Sequence, residues 1–434
     1  AVTLADLGAR VCLIESKRRL GGRATSFVDT STGEVLDNCQ HVALGCCRAY
    51  LGLCERLGVM DCFDWYSTQY WVEAGGQVSV IEPSKWPAPL HYAGSFVRAK
   101  HLTWEEKGAI ARGMINIRLS EREMYKEWTF GAYLAMAEQP KGAIAKFWEP
   151  VIVSACNLSV DRVCASSALK VFQDGFLSDV KAGLMGVPKV PLVRLYDAVE
   201  RVIAESGGEV RLGESVVGID DAGGGVVVNK GRSEIRVEGH RVICALPVAR
   251  VCALLEGDER LEGVRRLMAH DSNEDGERGA MGGIYSSILG VHVEFDQPVT
   301  MLPHAVLVER GTQWIFRKDQ AGRRFHAVIS GADAWMNMTE EEIIKQVADD
   351  VRACFVQARG AKVIWGRAVK ERQATFAATP AFEAAREQIS TTLPGRFGKA
   401  SRGVVLAGDY TNTQWPATME GATLRGLAAA RACG

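Results

Sequence analysis

The sequence predicts an α/β protein in which a discontinuous, Rossmann-like dinucleotide-binding domain carries a mixed α+β substrate domain. Three observations predict it. Val11-Cys-Leu-Ile-Glu15 is a short aliphatic run closed by an acid, and Gly21-Gly22-Arg23 follows it. Such a run reads as a buried parallel strand whose terminal carboxylate suits a ribose, while glycine N–H groups and a guanidinium suit a pyrophosphate. A strand end or a glycine turn alone would be unremarkable; their spacing makes the pair informative. Near the other end, Gly403-Val-Val-Leu-Ala-Gly408-Asp409 is a second apolar run ending in Gly-Asp, and Pro416 and Thr418 then mark a helix start. Between the two, strand-like segments return at 209–245 after a helical, aromatic-rich excursion.

Taken in order, residues 1–8 have the spacing of the back half of a helix, with Gly8 as its stop. A dinucleotide-binding unit ordinarily opens with a strand and a Gly-x-Gly-x-x-Gly turn, because the following helix N-terminus holds the phosphates. Neither stands in this sequence, so the expectation is a chain lacking its first strand and glycine turn. Gly223-Gly-Gly225 reads as a hairpin and Gly279-Ala-Met-Gly-Gly283 runs into a strand pattern, so neither replaces it. Residues 35–42 read as a strand and turn ending in the polar cluster Asp37, Asn38, Gln40 and His41. Titratable groups just downstream of a pyrophosphate loop are candidates to face the reactive part of a cofactor; a hydrogen-bonded structural histidine is the competing reading of His41. Residues 50–58 have helical spacing with Gly58 as stop.

From 61 to 190 aromatics crowd together (Trp65, Tyr70, Trp71, Trp86, Trp104), and helices are expected at 104–119, 121–138 and 141–158. This is either plain helical core or the lining of a pocket for a long apolar molecule, and the same stretch could touch a bilayer. A helix is expected at 190–206, then strands at 209–212, 215–219, 226–228, 234–237 and 241–245. Further strands are expected at 284–295, 305–309, 326–330 and 363–367, with a helix at 340–358. The return of dinucleotide-fold motifs after each excursion assigns 1–60, 191–257 and 396–434 to the first domain, and 61–190 and 258–395 to the substrate domain.

Composition narrows the partners. A chain of 434 residues with 47% hydrophobic content accommodates two or three domains, and 51 basic against 52 acidic residues leave no field to recruit nucleic acid. Twelve scattered cysteines without a Cys-x-x-Cys pair suit neither a metal site nor a disulfide framework. They read as reduced thiols in a cytosol. No signal peptide is visible and no apolar run reaches the ~18 residues a bilayer span needs. The expected location is therefore cytoplasmic, with any membrane contact peripheral and on the inner face of the cell membrane.

With Glu15, Gly21-Gly22-Arg23, the Val216-x-x-Ile219 strand, Cys244-Ala-Leu-Pro247 and Ala407-Gly408-Asp409 in this order, the chain resembles the flavin amine oxidase and phytoene desaturase superfamily over nearly its whole length. Leu36-Asp-Asn-Cys-Gln-His-Val-Ala-Leu-Gly45, Phe147-Trp-Glu-Pro150 with Asn157, and Trp415-Pro-Ala-Thr-Met-Glu-Gly-Ala422 are more narrowly similar to the hydroxysqualene dehydroxylases, the squalene-associated FAD enzymes of hopanoid synthesis. The resemblance implies an FAD-binding Rossmann-like domain of the GR2 type. Glu15 would bind the adenosine ribose, Gly21, Gly22 and Arg23 the pyrophosphate, and Val216 the adenine through its backbone. Gly408 and Asp409 would meet the ribityl chain, while Trp415, Pro416, Ala417, Thr418 and Met419 would edge the isoalloxazine. The positive end of the helix starting there would favour a reduced, anionic flavin by ~0.3 to 2 kcal/mol. Cys39 stands where the Asp-Asn-Gly-Gln-His pattern of the family has glycine.

The implied activity is reduction of hydroxysqualene to squalene by reduced FAD, with the electron donor unspecified. His41, whose ordinary pKa of about 6.5 suits proton donation at neutral pH, would be the general acid, with Asp37 orienting it and Gln40 beside it. Two alternatives stand beside this reading: a carotenoid-type desaturase running the redox chemistry the other way, and a non-catalytic carrier of apolar ligands. A flavin amine oxidase is disfavoured, because no aromatic pair beyond Tyr410 and Trp415 flanks the C-terminal motif and no catalytic lysine is evident.

Overall fold

The computed structural model describes residues 1–220, 224–231, 233–271, 283–389 and 403–433. Two parallel strand pairs bring distant segments together. Cys12–Glu15 pairs with Glu209–Leu212, Glu15 facing Leu212, and Val242–Cys244 pairs with Val404–Leu406. Parallel pairing requires long crossovers, and the intervening chain supplies them. The helix Val2–Asp6 ends as expected before Gly8, which adopts φ +81°. Its Val2 and Ala5 pack on Val199, Val202 and Ile203, the apolar stripe of helix Ala198–Glu205. That helix is shorter than the 190–206 expected, because Leu192–Tyr196 winds as a tighter 3₁₀ turn.

An antiparallel meander follows: Ser215–Ile219, Gly225–Lys230 and Ser233–Glu238, with a bulge between Val216 and Gly218. The N–H of Glu214 donates to the carbonyl of Glu15, tying the meander to the end of the first strand. The glycine runs singled out at 223–225 and 279–283, and the domain boundary expected at 396, fall wholly or partly outside the described residues.

The sheet of the other half has seven strands, in the order Val363–Phe376, Tyr285–Phe295, Arg324–Ser330, Trp314–Arg317, His304–Leu307, Gln69–Val72, Val78–Ile81. All neighbours are antiparallel except His304–Leu307 with Gln69–Val72. Helix Glu340–Cys354 lies over it, started by a capping box between Thr339 and Glu342.

The region 61–190 departs most from expectation. It contributes strands Phe63–Tyr66, Gln69–Val72 and Val78–Ile81, where aromatic and β-branched residues fit the half-buried faces of a sheet. Helix Trp104–Leu119 forms as expected behind the Thr103–Glu106 capping box. The expected helix 121–138 is instead a short turn and the helix Phe130–Met136. The segment 141–156 contains a π-helical turn at Ile144–Trp148 before helix Glu149–Cys156, which Asn157 ends at φ +57°. Many of the aromatics are core: Phe130, Tyr133, Trp148 and Phe172 are fully buried against one another, and truncating Trp148 would cost ~3 to 5 kcal/mol. Among the described residues no helix is long and apolar enough to cross a membrane.

Candidate active site

A cavity of about 1070 Å³ runs between the two halves. Its wall is built in part from chain segments far apart in sequence: Gly21 and Arg23 after the first strand, Gln40 and His41 from the polar cluster, and Asp409 and Trp415 to Met419 from the C-terminal segment. Glu15, Gly22, Asp37, Val216 and Gly408 do not reach this cavity's wall. Glu15 turns its carboxylate to the N–H of Lys17 at 2.8 Å, and the Val216 carbonyl accepts from Arg250 at 3.1 Å.

Gly21 sits at φ +105°, and a Cβ there would lie 2.6 Å from the carbonyl oxygen of Ala24 and 2.9 Å from the ring of Tyr196. Only glycine fits, and it leaves backbone bare at the cavity wall. Gly22 also has positive φ, in open space. Arg23 is engaged within the protein. Its Nη2 lies 2.6 Å from Asp409 Oδ2 and its Nη1 donates to the Ala374 carbonyl at 2.8 Å, so the pair expected at pyrophosphate and ribityl chain bond each other.

Thr418 Oγ1 accepts from the N–H of Gly421 and caps helix Met419–Cys433. The loop before it is pinned by Arg386, which is fully buried and donates to the carbonyls of Thr411 and Trp415 while paired with Glu383. Glu420, also buried, reaches across to helix Arg48–Leu57 and accepts from the N–H groups of Ala49 at 3.0 Å and Tyr50 at 2.8 Å.

The polar cluster is arranged otherwise than expected. Asp37 does not orient His41: its Oδ1 accepts from Ser26 Oγ at 2.7 Å and from the Leu192 N–H at 2.9 Å. His41 Nδ1 instead lies 3.2 Å from the carbonyl of Cys39, which can only accept, so Nδ1 carries the hydrogen and Nε2 is bare. Burial pushes the His41 pKa down, keeping the ring neutral. In that tautomer Nε2 is an acceptor. Behind it His326 stacks on His292 with ring centres 3.9 Å apart, and both are held neutral by burial. Cys39 lines the cavity as a neutral thiol, its pKa raised by burial to about 12. Gln40 Nε2 donates to the His41 carbonyl, leaving Oε1 buried without a partner among the described residues. An orphan acceptor beside a bare glycine backbone and a helix N-terminus is what the ring N–H or ribityl hydroxyls of a flavin would satisfy.

The cavity wall as a whole is largely apolar, with Trp71, Val151, Phe176, Trp314 and Phe316 in it. Pro150 and Asn157 of the Phe147-to-Asn157 motif reach it, whereas Phe147 and Trp148 stay in the core. Asn157 bridges Thr375 Oγ1 and the N–H of Gly331. Sequence reasoning missed Lys170, whose Nζ lies 4.6 Å over the Trp415 ring and 2.6 Å from Asp174. It also missed Arg386. No local pattern marks either one.

A nucleotide-type α/β frame whose C-terminal motif lines a deep, largely apolar cavity defines a cofactor-dependent oxidoreductase. Residues 1–434 match the family described as flavin containing amine oxidoreductase; the chain belongs to that family, and its cofactor is FAD. The zeta-carotene desaturase of Capsicum annuum is 23% identical over 476 residues, covering 98% of this chain and 77% of the relative. The 15-cis-phytoene desaturase of Synechococcus elongatus is 22% identical over 456 residues, covering 99% and 92%. Among solved structures, a cofactor-binding redesign of putrescine oxidase superposes with a TM-score of 0.70 at 15% identity, covering 99% of this chain and 95% of the other. Cyclohexylamine oxidase from Brevibacterium oxydans gives 0.63 at 15% identity, covering 99% and 94%. These structures share the fold.

Proposed function

We propose that this chain carries out redox chemistry on a long-chain isoprenoid. The observation that carries the reading is a single cavity whose wall joins the FAD motifs to a predominantly apolar lining that includes Trp71, Val151, Phe176, Trp314 and Phe316. Bound FAD supplies the two-electron chemistry. Gly21, Gln40, Asp409 and the N-terminus of helix Met419–Cys433 would hold it, and the apolar wall orients the substrate and excludes water. The desaturase relatives support dehydrogenation of a polyene. A second reading, reductive removal of the hydroxyl of hydroxysqualene, is favoured by the Trp415-to-Ala422 motif and by the Lys170–Asp174 pair beside Trp415, which a pure hydrocarbon does not require.

The substrate would arrive from a membrane surface, since a C30 or longer isoprenoid has negligible concentration in water. Exposed Trp86, Leu90, Val97, Trp104 and Leu119, interleaved with Arg98, Lys100 and Lys107, support peripheral docking on the inner face of the cell membrane of a protein otherwise in the cytoplasm. The test is anaerobic incubation of FAD-loaded protein with hydroxysqualene plus a reductant, and separately with zeta-carotene or phytoene plus a quinone acceptor. Squalene in the first arm supports dehydroxylation, and a more unsaturated carotene in the second supports desaturation. Lipid binding with neither product would leave a carrier and end the proposal.

A further inference from the structure

We infer that Lys170 recognises an oxygen substituent of the isoprenoid beside Trp415 in the cavity wall, an inference that rests on the isoprenoid reading above. Lys170 ends helix Ala165–Lys170, and a π-helical turn, Val171–Phe176, follows directly. The wider turn brings Lys170, Val171, Asp174, Gly175 and Phe176 together onto the cavity wall; such turns are characteristic of functional sites. Lys170 is only 8% exposed. An ammonium buried that deeply requires acceptors, and it has three N–H donors to fill. Among the described residues its one hydrogen-bond acceptor is Asp174 Oδ2 at 2.6 Å. Trp415 gives it a π face at 4.6 Å, which balances charge but takes no hydrogen bond along an acceptor lone pair. Trp415 itself is held by Arg386 at 2.8 Å, so the cation is fixed against the C-terminal motif.

Charge sharpens the ligand class. Asp174 is shared with Arg122, 3.6 Å away, so two cations face that one carboxylate. An alcohol, ether or carbonyl oxygen would fill a spare N–H donor with its lone pairs. A hydrocarbon would leave that donor unfilled, and a protonated amine would be repelled. The competing structural role, a cation at a helix C-terminus paired with the carboxylate four residues on, makes none of these distinctions between ligands.

The experiment measures binding of hydroxysqualene, squalene and a protonated isoprenoid amine to the FAD-loaded protein in detergent micelles, by quenching of tryptophan fluorescence. Wild type is expected to bind the alcohol about tenfold or more tightly than the hydrocarbon, the return on one charge-assisted hydrogen bond, and to bind the amine more weakly than the alcohol. Lys170→Met, and Lys170→Met with Asp174→Asn so that no carboxylate loses its partner, should bring alcohol and hydrocarbon within about twofold while keeping hydrocarbon affinity and the flavin spectrum. Equal binding of alcohol and hydrocarbon by wild type, tight binding of the amine, or undiminished preference in either variant would overturn the inference without touching the isoprenoid reading. Failure of wild type to bind any of the three lipids would overturn both.

Discussion

Glu420→Ala is expected to loosen the wall of the cofactor site in a way that can be worked out bond by bond. Helix Arg48–Leu57 starts without a side-chain cap, since Cys47 stands at its N-cap position and makes no such bond. The N–H groups of its second and third residues, Ala49 and Tyr50, would be orphans, and the carboxylate of Glu420 takes both. A buried N–H left without an acceptor costs ~1 to 3 kcal/mol, and the lost anion at a helix N-terminus adds ~0.3 to 1. For two such groups the sum is about 2 to 7 kcal/mol. At ~1.4 kcal/mol per tenfold, amide exchange at Ala49 and Tyr50 should accelerate by at least roughly 50-fold and at most roughly 100,000-fold. Hydrogen exchange read by mass spectrometry on peptides covering 46–54 measures it. Glu420→Gln keeps an oxygen acceptor but loses the charge, so its exchange should fall between the two. Because Glu420 follows Met419, the first turn of helix Met419–Cys433 should shift as well, and FAD retention should drop. Exchange within about threefold of wild type in Glu420→Ala would refute the reasoning.

Gly21→Ala forces a Cβ to within 2.6 Å of a backbone oxygen at φ +105°, a strain of ~1 to 3 kcal/mol before any clash, and should purify with little flavin; a normal ratio of visible to ultraviolet absorbance would contradict this. Acidification should destabilise the fold through its buried neutral histidines. Burial and the neighbouring Lys146 and Lys107 hold His101 down to about 4, so its stabilising contribution is present above its unfolded pKa of ~6.5 and is lost as pH falls towards 4, about 3 kcal/mol in all. His101→Phe, which preserves the stack on Trp71, should flatten that part of the thermal stability profile between pH 6.5 and 4, and an unchanged slope would exclude His101 as its source. Trp104→Glu combined with Leu119→Glu removes two side chains that are 73% and 77% exposed and should weaken sedimentation with anionic liposomes several-fold, leaving FAD content intact; unchanged sedimentation would move the docking surface elsewhere.

What was legible in the sequence was whatever local chemistry decides. The helices expected to start at 104 and 340 do start there, each behind a reciprocal cap, Thr103 with Glu106 and Thr339 with Glu342. The aliphatic run closed by Glu15 forms its parallel strand, although it is not buried as expected: Cys12 is exposed and Leu13, Ile14 and Glu15 are half-buried. The aromatic-rich region misled, since Phe63–Tyr66 and Gln69–Val72 carry no clean alternation and take their strand character from partners at 185–188 and 304–307. The site divides the same way. Gly21, Arg23, Gln40, His41, Asp409 and Trp415 to Met419 do converge on the cavity, as their motifs implied. The bonds among them were not legible: Asp37 answers to Ser26 and Leu192 rather than to His41, Arg23 to Asp409, and Trp415 to Lys170 and Arg386. Each of those pairings is made by tertiary approach, which spacing along the chain does not encode.

The central claim is that FAD and a long isoprenoid occupy one continuous cavity and exchange electrons there. The most direct measurement is the visible flavin absorbance of the FAD-loaded protein under anaerobic conditions as an isoprenoid is added. The account predicts bleaching of the oxidised flavin by a carotenoid precursor, or recovery of the oxidised spectrum when prereduced protein meets hydroxysqualene. A flavin spectrum that responds to neither lipid in either redox state, in protein that binds both, would contradict it.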